Sequence, residues 1–334
     1  MVITLNPAEL NLRQRELINP NPLASSVVMI SPDHFGFNPQ TAATNPFQTR
    51  LELADSVVTQ KALQEYKKMV EVLRNEQVGV VALKSRLDVL TPDAVFPNNW
   101  FSTDVSGNVI LYPMLAPNRR DERQSDHLLL MLKRNGFQVK NVVDLTGYEA
   151  KGMYLEGTGS MVFDNKHNVA FAMESQRTSE VVFKDFCKKF GFEPVFFHAI
   201  DKFKQPIYHT NVIMAVGDGF SVLCPESIPD KAERETVIGS LNDLGINVIA
   251  ISMDQLYSYC ANILELGSQD GENKIVMSRK ARSTFNDWQI AQLGEFGKPT
   301  VVDIQTIETV GGGSARCMLA EVFLPQKETV ALTR

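Results

Sequence analysis

The chain has 334 residues, 44% hydrophobic and 22% charged, with a net charge of -6. That much apolar material supports a large core, and the acidic balance argues against nucleic acid, whose binders carry a basic stripe. No apolar run reaches the roughly 20 residues that a bilayer span needs, so a membrane partner is not expected.

In chain order, residues 1–24 read as an extension, polar and punctuated by Asn19-Pro20-Asn21-Pro22. Met1 to Pro7 lacks a basic segment followed by an apolar one, so no secretory signal is expected. Ser26 to Ile30 reads as a strand. The stretch from Asp55 to Glu76 follows, with apolar residues at helical spacing (Val57-Val58, Ala62-Leu63, Tyr66, Met69-Val70, Leu73). It leads to Gly79 and the strand-like run Val80 to Leu83. A hairpin turn at Ser106-Gly107, a helix from Asp121 to Gly136 and a strand from Val139 to Leu145 come next. The pattern returns three times. Its turns are Asn165-Lys166, Gly217-Asp218-Gly219 and Gln269-Asp270-Gly271. Its helices are Thr178 to Gly191, Asp230 to Gly245 and Ser283 to Gly297. Its following strands are Pro194 to Phe197, Ile246 to Ile251 and Thr300 to Ile304.

The glycines ending these helices are spaced by 57, 55, 54 and 52 residues. Each is expected at C′, where glycine tolerates a positive φ. A period near fifty marks a repeated supersecondary unit, here ββαβ. Met318 to Leu324 has no return strand and Ser26 to Ile30 has no partner of its own. Pairing them removes two exposed edges and closes the repeats into one roughly five-fold α/β domain over residues 25–334. Two separate α/β lobes are the alternative.

Aligned on their hairpins, the modules place Asn98-Asn99, Glu156, His209 and Cys260-Ala261-Asn262 near the start of the first hairpin strand, with Cys317 opening the last one. A closed ring turns these positions towards one axis. Cys317 follows the loop Val310 to Arg316, which includes Gly311-Gly312-Gly313. That run lacks the Gly-Lys-Ser/Thr ending of a phosphate loop and on its own reads sooner as a linker beside a buried thiol than as a ligand loop. A thiol there would need activation to be a nucleophile. His209 suits an acid/base partner, and Glu156 the carboxylate that orients it. Asp93, after Pro92, reads as a turn aspartate or as an acceptor for planar N–H groups. Cys187, Cys224, Cys260 and Cys317 form no C-x-x-C pair and read as reduced thiols of a cytoplasmic protein. The remaining histidines (His34, His127, His167, His198) lack ligand spacing, so neither a metal nor another cofactor is expected.

Phe96-Pro97-Asn98-Asn99, Leu155-Glu156-Gly157, His209-Thr210-Asn211 and Gly311 to Met318 together resemble the guanidino-group-modifying superfamily. It includes arginine deiminases, dimethylarginine hydrolases, agmatine deiminases and amidinotransferases. The likeness runs from about Val27 to Leu324 and is strongest for the group associated with citrulline utilisation. It implies a five-bladed pseudo-symmetric α/β propeller. It implies attack by Cys317 on a guanidino or ureido carbon, acid/base work by His209, and orientation by Glu156. By the same likeness Asp93 contacts substrate N–H groups, while Arg120 and Arg177 hold the substrate carboxylate. Asn98, Asn99 and Asn211 stand where many members carry acids. An amide hydrogen-bonds but does not neutralise a guanidinium, which points to a neutral ureido group in an amino-acid substrate.

Hydrolysis of an arginine- or citrulline-like amino acid is therefore the leading reading. Transfer of the same intermediate to an amine is the alternative, and a non-catalytic propeller binding protein the remote one. The sequence leaves a homo-oligomer open.

Overall fold

The structure is a computed structural model, described here for residues 22–326. Most of the expected extension, residues 1–21, lies outside the described residues. The rest is a mixed α/β fold built on five three-stranded sheets. No helix among the described residues is long and apolar enough to cross a membrane.

Four sheets share one plan. An antiparallel hairpin is extended by a third strand that runs parallel to the hairpin's second strand, after a helical crossover. These are β3 (Phe101–Thr103), β4 (Asn108–Leu111) and β5 (Asn141–Asp144); β6 (Met161–Asp164), β7 (Val169–Met173) and β8 (Glu193–Phe197); β9 (Met214–Val216), β10 (Phe220–Leu223) and β11 (Asn247–Ala250); and β12 (Leu264–Leu266), β13 (Lys274–Ser278) and β14 (Lys298–Val302). The remaining sheet joins both ends of the described chain. In it β1 (Ser26–Ile30) runs parallel to β2 (Gly79–Leu83) and antiparallel to β15 (Ala320–Glu321). The pairing expected between the first and last strands is therefore present. It is shorter than the Met318 to Leu324 run suggests, with Met318 at its start taken into the 3-10 turn Ala315–Met318.

The crossover helices follow from their apolar faces. Helix Asp55–Asn75 buries Val58, Ala62, Tyr66, Met69, Val70 and Leu73, a stripe at i, i+4, i+7 spacing. Asp55 in its first turn and Arg74 in its last complement the helix dipole. Helices Ser125–Arg134, Glu180–Phe190 and Lys231–Asp243 sit inside the expected spans. The fifth expected helix is divided. Arg279–Thr284 ends before Asn286, and Asn286 caps a second helix, Asp287–Gly294, through a capping box with Gln289.

The glycine expectation holds for Gly136, Gly191 and Gly245, whose φ values are 87°, 77° and 74°. It fails for the other two. After the first helix Gln77 takes the positive φ of 59°. Gly79 is instead required by close approach, since a Cβ there would lie 2.2 Å from Ser26 Oγ across the β1–β2 pair. At Gly297 a Cβ would lie 2.8 Å from the Asn273 carbonyl oxygen. Overpacking of this kind costs roughly 1–3 kcal/mol. Gly79→Ala is therefore expected to lower stability by about that amount in urea unfolding, and Ser26→Gly in the same chain to restore most of it. A loss that Ser26→Gly leaves untouched would place the strain elsewhere.

Candidate active site

Five turns precede β3, β6, β9, β12 and β15, and all five aligned candidate positions lie in them or at their N-caps. Pro97–Asn99 leads into β3, Gly157–Ser160 into β6 with Glu156 at its N-cap, and Thr210–Val212 into β9 with His209 at its N-cap. Tyr259 to Asn262 precedes β12, and Ala315–Met318, which carries Cys317, precedes β15. Side chains lace these turns together in chain order. Thr158 Oγ1 donates to the Asn98 carbonyl (3.3 Å), Asn211 Nδ2 to the Thr158 carbonyl (3.1 Å) and Asn262 Nδ2 to the Asn211 carbonyl (2.9 Å). The Arg316 N–H then donates to the Asn262 carbonyl (3.3 Å).

Amides of the third and fourth turns meet the sulfur of the fifth. Asn262 Nδ2 and Asn211 Nδ2 lie 3.3 and 3.6 Å from Cys317 Sγ, as donors able to support negative charge there. The glycine loop is a rigid wall and no linker. Cβ atoms at Gly311 and Gly313 would lie 2.8 and 2.9 Å from the Phe96 ring. Gly312, at φ 64°, accepts from Tyr208 Oη (2.6 Å) and Asn45 Nδ2 (3.2 Å) through its carbonyl. Ser314 Oγ donates to Glu308 (2.6 Å). The other three cysteines are core thiols. Burial pushes Cys187 and Cys260 up to about 12 and Cys224 up to about 11, which leaves them unreactive at neutral pH.

His209 Nε2 bonds Glu156 Oε2 at 2.9 Å, both side chains buried. Gly159 permits this approach, because a Cβ there would stand 2.8 Å from the imidazole and 2.3 Å from Asn99 Nδ2. Burial alone would raise the Glu156 carboxyl. Arg177, at 3.5 Å, and the His209 hydrogen bond outweigh it and hold Glu156 well below the usual carboxylate range. Burial pushes His209 down, against the pull of Glu156, with Arg177 and Arg119 adding to the effect. The resting pair is thus carboxylate and neutral imidazole. A carboxylate accepts from Nε2–H, so Nδ1 carries the lone pair that takes a proton.

Cys317 and His209 line one small cavity with Asp93, Asn99, Arg119, Arg177, Tyr208 and the glycine loop. Its free space is about 20 Å³, room for roughly one water. Asp93 Oδ2 accepts from Asn38 Nδ2 (2.7 Å) and Thr41 Oγ1 (2.9 Å), while its buried Oδ1 has no partner. Asn99 Oδ1 accepts from Arg119 Nη1 (2.7 Å), which fixes the amide. Asn211 backs the sulfur. Asn98 is fully buried, with both amide atoms unpartnered, and is not part of the cavity lining.

The two expected arginines divide. Arg177 lines the cavity, but its guanidinium is held by the Thr41 carbonyl (3.0 Å) and Thr44 Oγ1 (2.7 Å). Arg120 points away. It donates to the Met114 and Leu115 carbonyls, lies 3.4 Å from Glu149 and does not line the cavity, a placement that does not suit the substrate contact expected of it. Its neighbour Arg119 takes the inner position, paired with Glu122 at 2.9 Å. The turn Pro117–Arg120 directs adjacent side chains to opposite sides, and sequence alone does not decide which faces inward.

Sequence reasoning also missed a cover, residues 38–48. Asn38, Thr41, Asn45 and Gln48 reach Asp93 and the glycine loop, and Phe47 packs among Tyr208, Tyr257 and Tyr259. Its available signal was a run of short polar residues between Pro39 and Pro46.

The lowered His209 pKa carries a stability consequence. The unfolded chain takes up a proton at this histidine near pH 6.5 that the folded chain refuses. More protons bound in the unfolded state means that stability falls as pH drops below that value. Urea unfolding from pH 7 to pH 5 is therefore expected to show the gap between the native protein and His209→Gln narrowing as pH falls; a constant gap would contradict it.

Comparison with known proteins fits this geometry. Solved structures share the fold. The N-terminal domain of ArgZ, an arginine dihydrolase from cyanobacteria bound to its substrate, matches with a TM-score of 0.68 at 18% identity, covering 89% of this chain and 97% of its own. AgrE matches with a TM-score of 0.67 at 18% identity, covering 91% of this chain but 40% of AgrE. A dimethylarginine dimethylaminohydrolase carrying an S-methyl-L-thiocitrulline adduct matches at 0.62 and 16% identity, covering 90% of this chain and all of that one. No curated protein matches. The family model for eukaryotic N,N dimethylarginine dimethylhydrolase matches residues 31–324. The chain therefore belongs to the N,N dimethylarginine dimethylhydrolase family, hydrolytic enzymes that act on guanidino groups.

Proposed function

We propose that residues 25–334 form one catalytic unit, a cysteine hydrolase acting on the guanidino or ureido carbon of an arginine- or citrulline-like amino acid. The observation that carries it is the convergence of Cys317, His209 and Asp93 on one buried cavity, from turns more than a hundred residues apart at their extremes. In this reading the five sheets stand as the five blades of a closed α/β propeller, supported by the β1–β15 pair and by the laced turns. The free, buried thiols support a cytoplasmic setting.

The chemistry runs in two balanced halves. As Cys317 sulfur bonds the substrate carbon, its proton passes to His209 Nδ1. The C–N bond then breaks and the departing amine takes that proton. Water next loses a proton to the neutral imidazole and attacks the same carbon. The C–S bond breaks and the thiol is restored. Glu156 stabilises the imidazolium formed in each half. Asn211 and Asn262 support the thiolate.

Charge favours a neutral substrate head. Asp93 Oδ1 is a free acceptor for a substrate N–H, yet Arg119 lies 3.9 Å from its other oxygen and offsets its charge. Asn99, already oriented by Arg119, adds no charge. Burial pushes the partner of Arg119, Glu122, up, while Arg119 itself stays fully charged. A ureido group meets this surroundings without an uncompensated buried cation. Arg177, once free of Thr41 and Thr44, is the bidentate donor for the substrate carboxylate, since the Arg119 guanidinium is already engaged by Glu122 and Asn99.

Cys317→Ala is expected to abolish turnover while leaving the fold intact by circular dichroism. Mass spectrometry of the native protein, quenched during turnover, is expected to find an adduct on Cys317; turnover with no adduct there and full activity in the variant would defeat the mechanism. Citrulline is expected to turn over faster at saturation than arginine or methylated arginine, by about tenfold or more. Faster arginine hydrolysis would remove the ureido preference but leave the cysteine mechanism standing.

A further inference from the structure

The turn that carries Cys317 departs from a local preference. Its N-cap is Ser314, and a serine there ordinarily accepts from the N–H of the second or third residue of its own turn. Here the hydroxyl makes no cap bond. It donates instead to the Glu308 carboxylate at 2.6 Å, with both side chains buried. The Ser314 carbonyl accepts the Cys317 N–H (3.0 Å). Ser314 therefore joins Glu308 to Cys317, through its side chain on one side and its backbone on the other. Local rules broken in this way concentrate at functional sites.

Glu308 is itself tied down. It lies in the helix Gln305–Gly311, and its carbonyl accepts from the Gly312 N–H (3.0 Å) and from Tyr259 Oη (3.2 Å). The start of that helix is bound to helix Asp55–Asn75, whose Glu65 carboxylate accepts the N–H groups of Thr306 (2.8 Å) and Ile307 (3.0 Å). A line of hydrogen bonds thus runs from helix Asp55–Asn75 to Ser314. It ends on a turn that follows Gly311-Gly312-Gly313, which bring no side chain of their own to hold it. Burial pushes the Glu308 carboxyl up, against the Ser314 hydrogen bond. On the far side of the turn the Asn262 and Asn211 amides meet Cys317 Sγ at 3.3 and 3.6 Å.

We propose that Glu308 is a positioning residue for the reaction: through the Ser314 hydroxyl it fixes the turn Ala315–Met318, so that Cys317 Sγ stays on the two amides and in reach of the substrate carbon. The role rests on the reading of Cys317 as the nucleophile. Neither Glu308 nor Ser314 lines the cavity, so neither meets the substrate. A reacting atom misplaced by about 1 Å costs on the order of 100-fold in rate, and loosening this link therefore acts on kcat more than on KM.

The test is steady-state hydrolysis of citrulline by three variants of the whole protein. Glu308→Leu removes the acceptor, and Ser314→Ala removes the donor with a smaller change of volume. Glu308→Gln keeps an oxygen for the Ser314 hydroxyl. The first two are expected to lower kcat about tenfold or more with KM within about twofold, and Glu308→Gln to stay within about threefold of the native rate. The double variant Glu308→Leu, Ser314→Ala is expected to be no slower than Glu308→Leu alone, because the two groups form one link. Hydrogen exchange over residues 311–318, read by mass spectrometry, is expected to quicken in Glu308→Leu and Ser314→Ala and to stay native in Glu308→Gln. A folded Ser314→Ala with native kcat overturns the proposal, even if its stability in urea falls, since the bond would then be structural alone. Glu308→Gln as slow as Glu308→Leu also overturns it and assigns the effect to charge. A native protein that turns over no substrate removes the cysteine reading and this role with it, whereas native turnover with kcat unchanged in the variants removes this role alone.

Discussion

Everything in the active site depends on the side-chain amides and hydroxyl that tie one pre-strand turn to the next. Thr158 holds the Asn98 carbonyl, Asn211 holds that of Thr158, and Asn262 holds that of Asn211. Each bond satisfies a buried carbonyl that no sheet ladder reaches, so each would be costly to leave unmade. Their joint effect is positional. Residues separated by tens of positions are fixed at one level because every turn is referenced to its neighbour. The two amides at the end of this run also touch the Cys317 sulfur, so the scaffold and the surroundings of this thiol are the same atoms.

Around that frame the charges are arranged so that each has an assigned compensator. Glu156 is shared between His209 and Arg177, and Glu122 between the two sides of the Arg119 fork. Buried ions persist only when paired, and here the pairing sets protonation states as well as structure. His209 stays neutral because burial prevails over one carboxylate whose own charge is partly spent on an arginine. An imidazole in that state is ready to accept a proton before it has to give one.

Much of this was legible in the sequence because repetition carries more information than any single residue. The helix periodicity of Asp55–Asn75 and the glycines at 136 and 191 marked modules, and the modules put Glu156, His209 and Cys317 at like offsets. What stayed hidden was decided by packing. Gly79 and Gly297 are glycines because another backbone or side chain comes too close, a fact with no local signature. Arg119 and Arg120 are adjacent and chemically identical, and only the turn's orientation separates the one that faces the cavity from the one on the Met114 and Leu115 carbonyls. The cover at 38–48 has no periodic pattern, since its work is done by scattered single hydrogen bonds.

Arg177 binds two things that have to change at different moments. Its guanidinium holds Thr41 and Thr44 of the cover and also lies beside Glu156. The cavity beneath has space for about one water, so the amino acid proposed above would enter only if that cover shifted. Displacing the cover releases the hydrogen bonds that pin Arg177 and lets the cation move relative to Glu156. A shift of the cover would therefore be linked to the proton affinity of the His209 pair, and by reciprocity each would bias the other. On the proposed reading, admission and acid/base readiness would be coupled through this one side chain.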